Sequence, residues 1–242
     1  VTKRLHLPLF VFAASLFVPV MLIGDGPDVR LQLLNGAMTG LLVWTAVRSG
    51  SVPGIQVATA MAIATTGELI LSLGWGLYSY RFAAIPWYVP PGHGLFYLLA
   101  AESAAHPFVL RNRERVVRTV LVLGSLAAAL GLVLASDQWG LLWWFGAVAM
   151  IVFTRSGLLV ACAWIYTTPL EWLGTWNGNW IWFRDVPGIP LFSGNPPSGV
   201  SILYGLLDVL TLLACGSTLM RRLASEVGDS AGERDAPLAD AA

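Results

Sequence analysis

Two stretches of this chain carry the same costly residues in the same order, which is a strong constraint on its fold. The first runs from Thr65 to Ala100 and the second from Thr167 to Asp208. Glu68 precedes Arg81 by thirteen residues, and Glu171 precedes Arg184 by the same thirteen. Ile85-Pro86 and Ile189-Pro190 follow, then Pro90-Pro91 and Pro196-Pro197, then Tyr97 and Tyr204, then the acids Glu102 and Asp208. Acids, arginines and prolines are expensive in lipid, so their recurrence between apolar runs reads as an internal repeat.

The runs themselves define the medium. Of 242 residues, 56% are hydrophobic and only 12% charged, and the mean hydropathy is +0.69. An ordinary soluble domain is about one quarter charged. A chain this apolar cannot cover a water-facing surface, so the expected class is an all-α, polytopic transmembrane helical bundle. The net charge of zero gives no pull toward nucleic acid. Cys162 and Cys215 both sit in apolar runs and form neither a disulfide framework nor a CxxC metal knuckle, so they read as packing residues.

A span needs about twenty apolar residues. The candidates are 7–23, 29–47, 56–76, 92–110, 116–136, 139–153, 157–174 and 199–220. Lys3 and Arg4 precede the first, and no small-x-small site closes it, which predicts an uncleaved span. Basic loops stay in the cytoplasm. Eight spans place Lys3 with Arg4, Arg48, the run Arg111, Arg113, Arg115 and Arg118, and Arg221 with Arg222 on that side; seven strand the last pair outside. Arg155 then marks a turn between the sixth and seventh spans. The expectation is two four-helix repeats of the same orientation, 1–112 and 113–222, related by an axis along the membrane normal. A disordered cytoplasmic tail follows, 223–242. Both termini would be cytoplasmic and the protein multi-pass in the cell's inner membrane.

This topology puts both Pro-rich loops, about 77–91 and 175–198, on the outer face. They are dense in aromatics: Trp75, Tyr78, Tyr80, Trp87 and Tyr88, then Trp176, Trp180, Trp182 and Phe192. Either they form an interfacial belt, or they form a lid or a platform for lipid headgroups. Arg81 and Arg184 either pair with phosphate there or snorkel.

Ionisable residues inside spans are the candidates for chemistry, because their burial must be compensated. Glu68 and Glu171 fall toward the outer ends of their spans; Glu102 and Asp208 fall near mid-membrane. Glu102 and His106 are four apart and share a helical face, as do Tyr204 and Asp208, and His93 and Tyr97. His93 and His106 are thirteen apart, about 220° around one helix, so they cannot serve one site from it. No ligand spacing supports a metal. The Glu102–His106 pair reads either as catalytic or as a buried tie between helices, and Glu68 and Glu171 either as catalytic or as ties to their own loops. His93, Glu102 and His106 occur together only in the first half, which places the active pocket there. The candidate catalytic residues are therefore Glu68, Glu102, His106, Asp208 and Glu171. The candidate substrate contacts are Trp75, Tyr78, Arg81, His93, Tyr97, Trp180, Arg184 and Tyr204. GxSxG, P-loop, HExxH and dinucleotide fingerprints are all absent from the sequence.

Glu171-Trp172-Leu173-Gly174-Thr175, with Gly178, Trp180 and Trp182, resembles the acid-Gly-Gly-aromatic segment of the carotenoid hydratase family of carotenoid-biosynthesis membrane proteins, over about thirty residues. The resemblance implies addition of water to a polyprenoid double bond. The chain is also similar in size and in the placing of Glu68 and Asp208 to the small polytopic terpene cyclases of meroterpenoid pathways. Both families imply a buried carboxyl that protonates an olefin or epoxide. The expected function is thus a cofactor-independent membrane enzyme acting on an apolar lipid or isoprenoid. The alternatives are a proton-coupled transporter or lipid carrier, and a non-catalytic subunit docked to another membrane protein.

Overall fold

The computed structural model describes residues 6–215. Lys3, Arg4, Arg221, Arg222, the tail 223–242 and the end of the last predicted span lie outside the described residues. The chain is mostly helical. The order is α1 (Leu7–Ile23), α2 (Val29–Ser49), α3 (Gly54–Glu68), a π-helical continuation (Leu69–Gly74), β1 (Tyr78–Tyr80), α4 (Val89–Ala104), α5 (Pro107–Arg111), α6 (Arg113–Ala135), α7 (Gln138–Phe153), α8 (Gly157–Trp176), β2 (Trp180–Trp182) and α9 (Ser201–Ala214). Two helical segments, Gly54–Gly74 and Arg113–Ala135, are long and apolar enough to cross a membrane.

Helix ends follow local chemistry. Asp28 caps α2 by accepting from the Arg30 amide at 2.9 Å, and Asp137 caps α7 by accepting from the Gly140 amide at 2.9 Å. The predicted fourth span, 92–110, breaks in two. His106 precedes Pro107, and a residue before proline is driven out of the helical region; His106 accordingly has φ −76 and ψ 132. Arg155 is exposed in the turn between α7 and α8, so these are two helices and not one long one.

The first half of α2 is inverted in polarity relative to helices of water-soluble proteins. Its buried face carries Gln32, Asn35 and Thr39, giving way to Val43 and Ala46, while Leu33, Leu34, Met38, Leu41 and Trp44 point outward. A soluble amphipathic helix does the reverse. On α1, Leu9, Phe12, Leu16, Val20 and Ile23 form an exposed apolar stripe. The centre is built from α4, buried continuously from Gly94 to Ala104, and α8, buried from Gly157 to Ala163. α4 packs on α2, α3 and α8, and α9 closes the ring against α3, α7 and α8.

A two-stranded antiparallel ribbon ties the two Pro-rich loops together at one end of the bundle. Tyr78 pairs with Trp182 and Tyr80 with Trp180. Gly76 (φ 75) and Gly178 (φ 70) each stand two residues ahead of a strand, where the chain turns through a left-handed conformation that favours glycine. Between Glu68 and β1 the helix widens to a π turn, in which the Trp75 amide bonds the Ile70 carbonyl at 2.6 Å. A π turn takes up an extra residue. Glu68 accordingly lies ten residues before Tyr78, whereas Glu171 lies nine before Trp180.

That extra residue corrects the spacing of the arginines. Arg81 follows β1 directly, but Arg184 lies two residues beyond β2, so the shared thirteen does not make them counterparts in space.

A candidate acid–base site under the aromatic ribbon

Alternation along a strand puts residues i and i+2 on one face. In β1 this aims Tyr78 and Tyr80 the same way, and in β2 Trp180 and Trp182. All four are buried, and each donates to the glutamate of the helix that feeds its own strand. Glu68 Oε2 accepts from Tyr78 Oη at 2.6 Å and from Tyr80 Oη at 2.7 Å. Glu171 Oε2 accepts from Trp180 Nε1 at 2.9 Å and from Trp182 Nε1 at 3.2 Å.

The other carboxyl oxygen of each glutamate meets the first turns of the helix that follows. Glu68 Oε1 lies 3.0 Å from His93 Nε2 on α4. Glu171 Oε1 accepts from Tyr204 Oη on α9 at 2.7 Å. The rings of His93 and Tyr204 face each other, with centroids 5.6 Å apart. His93 and Tyr204 are therefore the counterparts in space, not Tyr97 and Tyr204. The Pro-Pro pairs mislead because Pro90-Pro91 lie in the first turn of α4, whereas Pro196-Pro197 lie ahead of α9 in a longer loop.

Both glutamates line a cavity of about 220 Å³. Its polar wall is Glu68, Tyr78, Tyr80, Tyr88, His93, Glu171, Trp180, Trp182 and Tyr204; the rest is largely aliphatic, from Val18 and Met21 on α1 to Leu207 and Leu210 on α9. No Lys or Arg lines it among the described residues. The ribbon phenols stay protonated. Burial first, and then the neighbouring Glu68 carboxyl, push Tyr78 and Tyr80 well above the ordinary phenol value. Tyr88 is pushed up by burial and by Asp25.

Other predicted site residues lie elsewhere. Glu102 sits in the last turns of α4, not at mid-helix, where it accepts from the Ser51 amide at 2.7 Å, the Ser51 hydroxyl at 3.1 Å and the Val52 amide at 3.1 Å. It pins the α2–α3 turn. His106 lies past the end of α4, where its Nδ1 accepts from the Phe108 amide at 3.3 Å. The Glu102–His106 pair does not form, because Pro107 ends the helix that would have aligned them. Asp208 is buried in α9 but does not line the cavity, and neither does Tyr97, whose hydroxyl donates to Gln56 Oε1 at 3.2 Å.

Arg81 is occupied. Its guanidinium donates to the carbonyls of Gly178 at 2.9 Å, Asp25 at 3.5 Å and Asn177, the last two residues lying just beyond α1 and α8. Arg184 lies outside the site, 5.0 Å over the Phe192 ring. Trp75 donates to the Pro187 carbonyl at 2.9 Å and does not line the cavity.

Several site residues escaped the sequence reading. Tyr80 and Trp182 were visible as loop aromatics; their i+2 partnership with Tyr78 and Trp180 was the usable signal. Asp25 accepts from Tyr88 Oη at 2.8 Å and Asn179 Nδ2 at 3.3 Å, joining the α1–α2 turn to both loops. Its only trace in sequence is an acid at the end of an apolar run.

The chain matches no protein-family model, no curated protein and no solved structure.

Proposed function

We propose that this chain is an integral membrane enzyme of isoprenoid or lipid metabolism, of hydratase, cyclase or isomerase type, and that its buried carboxyls perform the acid–base chemistry. Eight spans in two duplicated halves would cross the cell's inner membrane, with the ribbon on the outer face and both termini in the cytoplasm. The inverted polarity of the first half of α2 and the exposed apolar stripe of α1 support lipid as the surrounding medium, since apolar side chains there gain nothing by turning inward. The likeness of the Glu171 segment to the carotenoid hydratase family agrees with this reading.

The observation that carries the proposal is that two carboxyls and an imidazole converge on one largely apolar cavity in which, among the described residues, no Lys or Arg neutralises the second carboxyl. A proton held between Glu68 and His93 adds to a carbon–carbon double bond or an epoxide oxygen, leaving a carbocation in the substrate. Tyr78 and Trp182, which line the cavity, would stabilise that cation through their aromatic rings. The cation is discharged by attack of water, which then loses a proton, or by direct loss of a substrate proton. Glu171 takes the released proton in either case and returns one across the shared cavity to the Glu68–His93 pair before the next turnover. Atoms and charge balance, and no cofactor is consumed. Well-placed proton transfer of this kind contributes about 10²–10⁴-fold.

The test compares lipid extracts of cells expressing the wild type and Glu68→Gln at equal protein level. A product present with the wild type and absent with the variant supports the reading. Identical extracts with and without the wild-type gene would remove it.

A further inference from the structure

The cavity under the ribbon reaches the outer surface of the bundle along a seam. Helices α3 and α9 run side by side, tied near the end of α9 where Cys215 Sγ donates to Thr59 Oγ1 at 3.5 Å. Toward the ribbon, Ile63, Gly67 and Leu71 on α3 and its continuation, and Leu203, Leu206 and Leu210 on α9, all line the cavity. Within each trio the residues are three or four apart, the spacing of one helical stripe. None of the six is buried. Leu206 and Leu210 are 44% and 42% exposed, and Leu213 continues their outward face at 69% without lining the cavity. The wall contributed by α1 and α2 is closed, since Val18, Met21, Leu22 and Thr39 are all buried.

Gly67 marks the gap. A Cβ there would meet nothing within 4 Å, whereas a Cβ on Gly205, on the packed face of α9, would come within 2.8 Å of Val160 Cγ1. Glycine inside a helix is unfavourable, and no close contact demands it at 67; what it leaves is space at the mouth of the cavity. Size and charge then restrict what enters. A volume of about 220 Å³ falls short of the roughly 300–1,000 Å³ of sites that enclose a whole drug-sized ligand. It takes one end of a lipid, and the remainder must lie outside. Glu68 and Glu171 line it, and among the described residues no Lys or Arg does. An anionic end would meet two carboxyls, with the His93 imidazole to offset one of them at most, where burial strengthens the repulsion.

We infer that the α3–α9 seam is a lateral slot through which a chain-shaped lipid passes from the bilayer into the cavity, uncharged end first, while its remainder stays in the slot and the surrounding lipid. Gly67 sets the width of the slot, and the paired glutamates set the charge of the end it admits. The inference rests on the membrane-enzyme reading above and gives its substrate a shape and a direction of entry.

Photolabelling of the full chain in lipid nanodiscs tests this. The probe is a long-chain alcohol with a diazirine at the end remote from its hydroxyl; a comparison probe carries a carboxylate at the diazirine end. The alcohol should label Met21 and Phe96, which line the cavity, several-fold more than Trp139, which packs on Trp75 near the ribbon, does not line the cavity and is equally buried (7%, 9% and 8% exposed). Gly67→Leu should bring both down toward the Trp139 level, and the carboxylate probe should stay at that level in the wild type. A larger side chain at an unobstructed helical position should leave the fold intact; if that variant does not purify, Leu206→Trp is read in its place. Equal labelling of Met21, Phe96 and Trp139 in the wild type overturns the inference, as does undiminished labelling in the variant or equal labelling by the carboxylate probe. Lipid extracts that still change with the gene alongside such a result keep the enzyme and remove the slot. Labelling as expected, with unchanged lipid extracts, removes the enzyme and keeps the slot.

Discussion

The two glutamate nests under the ribbon are built alike and furnished differently. Each takes two donors from its own strand and one from the helix that follows. Around Glu68 the donors are two phenols and an imidazole; around Glu171 they are two indoles and a phenol. An indole N–H can only donate and never gives its proton up, whereas imidazole changes protonation near neutrality and can pass a proton on. The first nest is thus furnished to give a proton, and the second to hold in place the carboxylate that takes one. Equivalent geometry does not imply equivalent chemistry; the partners decide it.

The comparison breaks most sharply at the carboxyls. Glu68→Gln should cut turnover by about 10²–10⁴-fold, measured as product per unit protein in lipid extracts. Glu171→Gln should cost less in turnover, because the released proton can pass to water, and little in thermal stability, because the amide oxygen still accepts from both indoles while its nitrogen donates to the Tyr204 hydroxyl. Equal losses of activity in both variants would erase the distinction.

Next come the strand donors. Tyr78→Phe or Tyr80→Phe removes a hydrogen bond to a carboxyl and should cost about 1.5–3 kcal/mol, read as a fall in melting temperature in detergent. The same phenols predict a pH dependence. Their folded-state values are raised above the free phenol's 10.0, so the stability they contribute is complete below that pH and is lost as pH rises beyond it. Absorbance at about 295 nm should show fewer tyrosines ionising near pH 10 in the folded protein than after unfolding.

Gly174→Ala probes the second nest alone. A Cβ there would run into the Trp180 ring, displacing its N–H from Glu171, and should cost about 1–3 kcal/mol while leaving the Glu68 nest intact. The smallest effect is expected for Arg81→Ala. It removes donors to two exposed carbonyls and one partly buried one next to helix ends, about 0.3–1 kcal/mol, and should leave lipid products unchanged.

Much of this arrangement was legible beforehand. Five of the eight predicted apolar runs coincide with single α-helices, 56–76 is one helix with a π turn at its end, and 199–220 is helical where it is described, because an apolar run bounded by Gly, Pro or charge leaves little freedom. Glu68 and Glu171 stood out because an acid in such a run must be compensated. The failures share a cause. Glu102 with His106, and Arg81 with Arg184, were matched by counting residues, and counting assumes uninterrupted helix or equal loops. Pro107 broke the first assumption and the π turn after Glu68, with the longer loop before α9, broke the second. Tyr80 and Trp182 were missed because a three-residue strand is too short to declare its period among so many aromatics.

That π turn has a further consequence. Loops usually absorb insertions and deletions, but here the segment Leu69–Gly74 takes up one residue inside a helix. Removing a single residue would let the helix rewind to ordinary pitch and give Glu68 the nine-residue lead that already serves Glu171. Removing a second would exhaust that slack, turn the following strand by about 100° and draw both phenols off Glu68. The first half of the molecule therefore carries one residue of tolerance that the second half lacks.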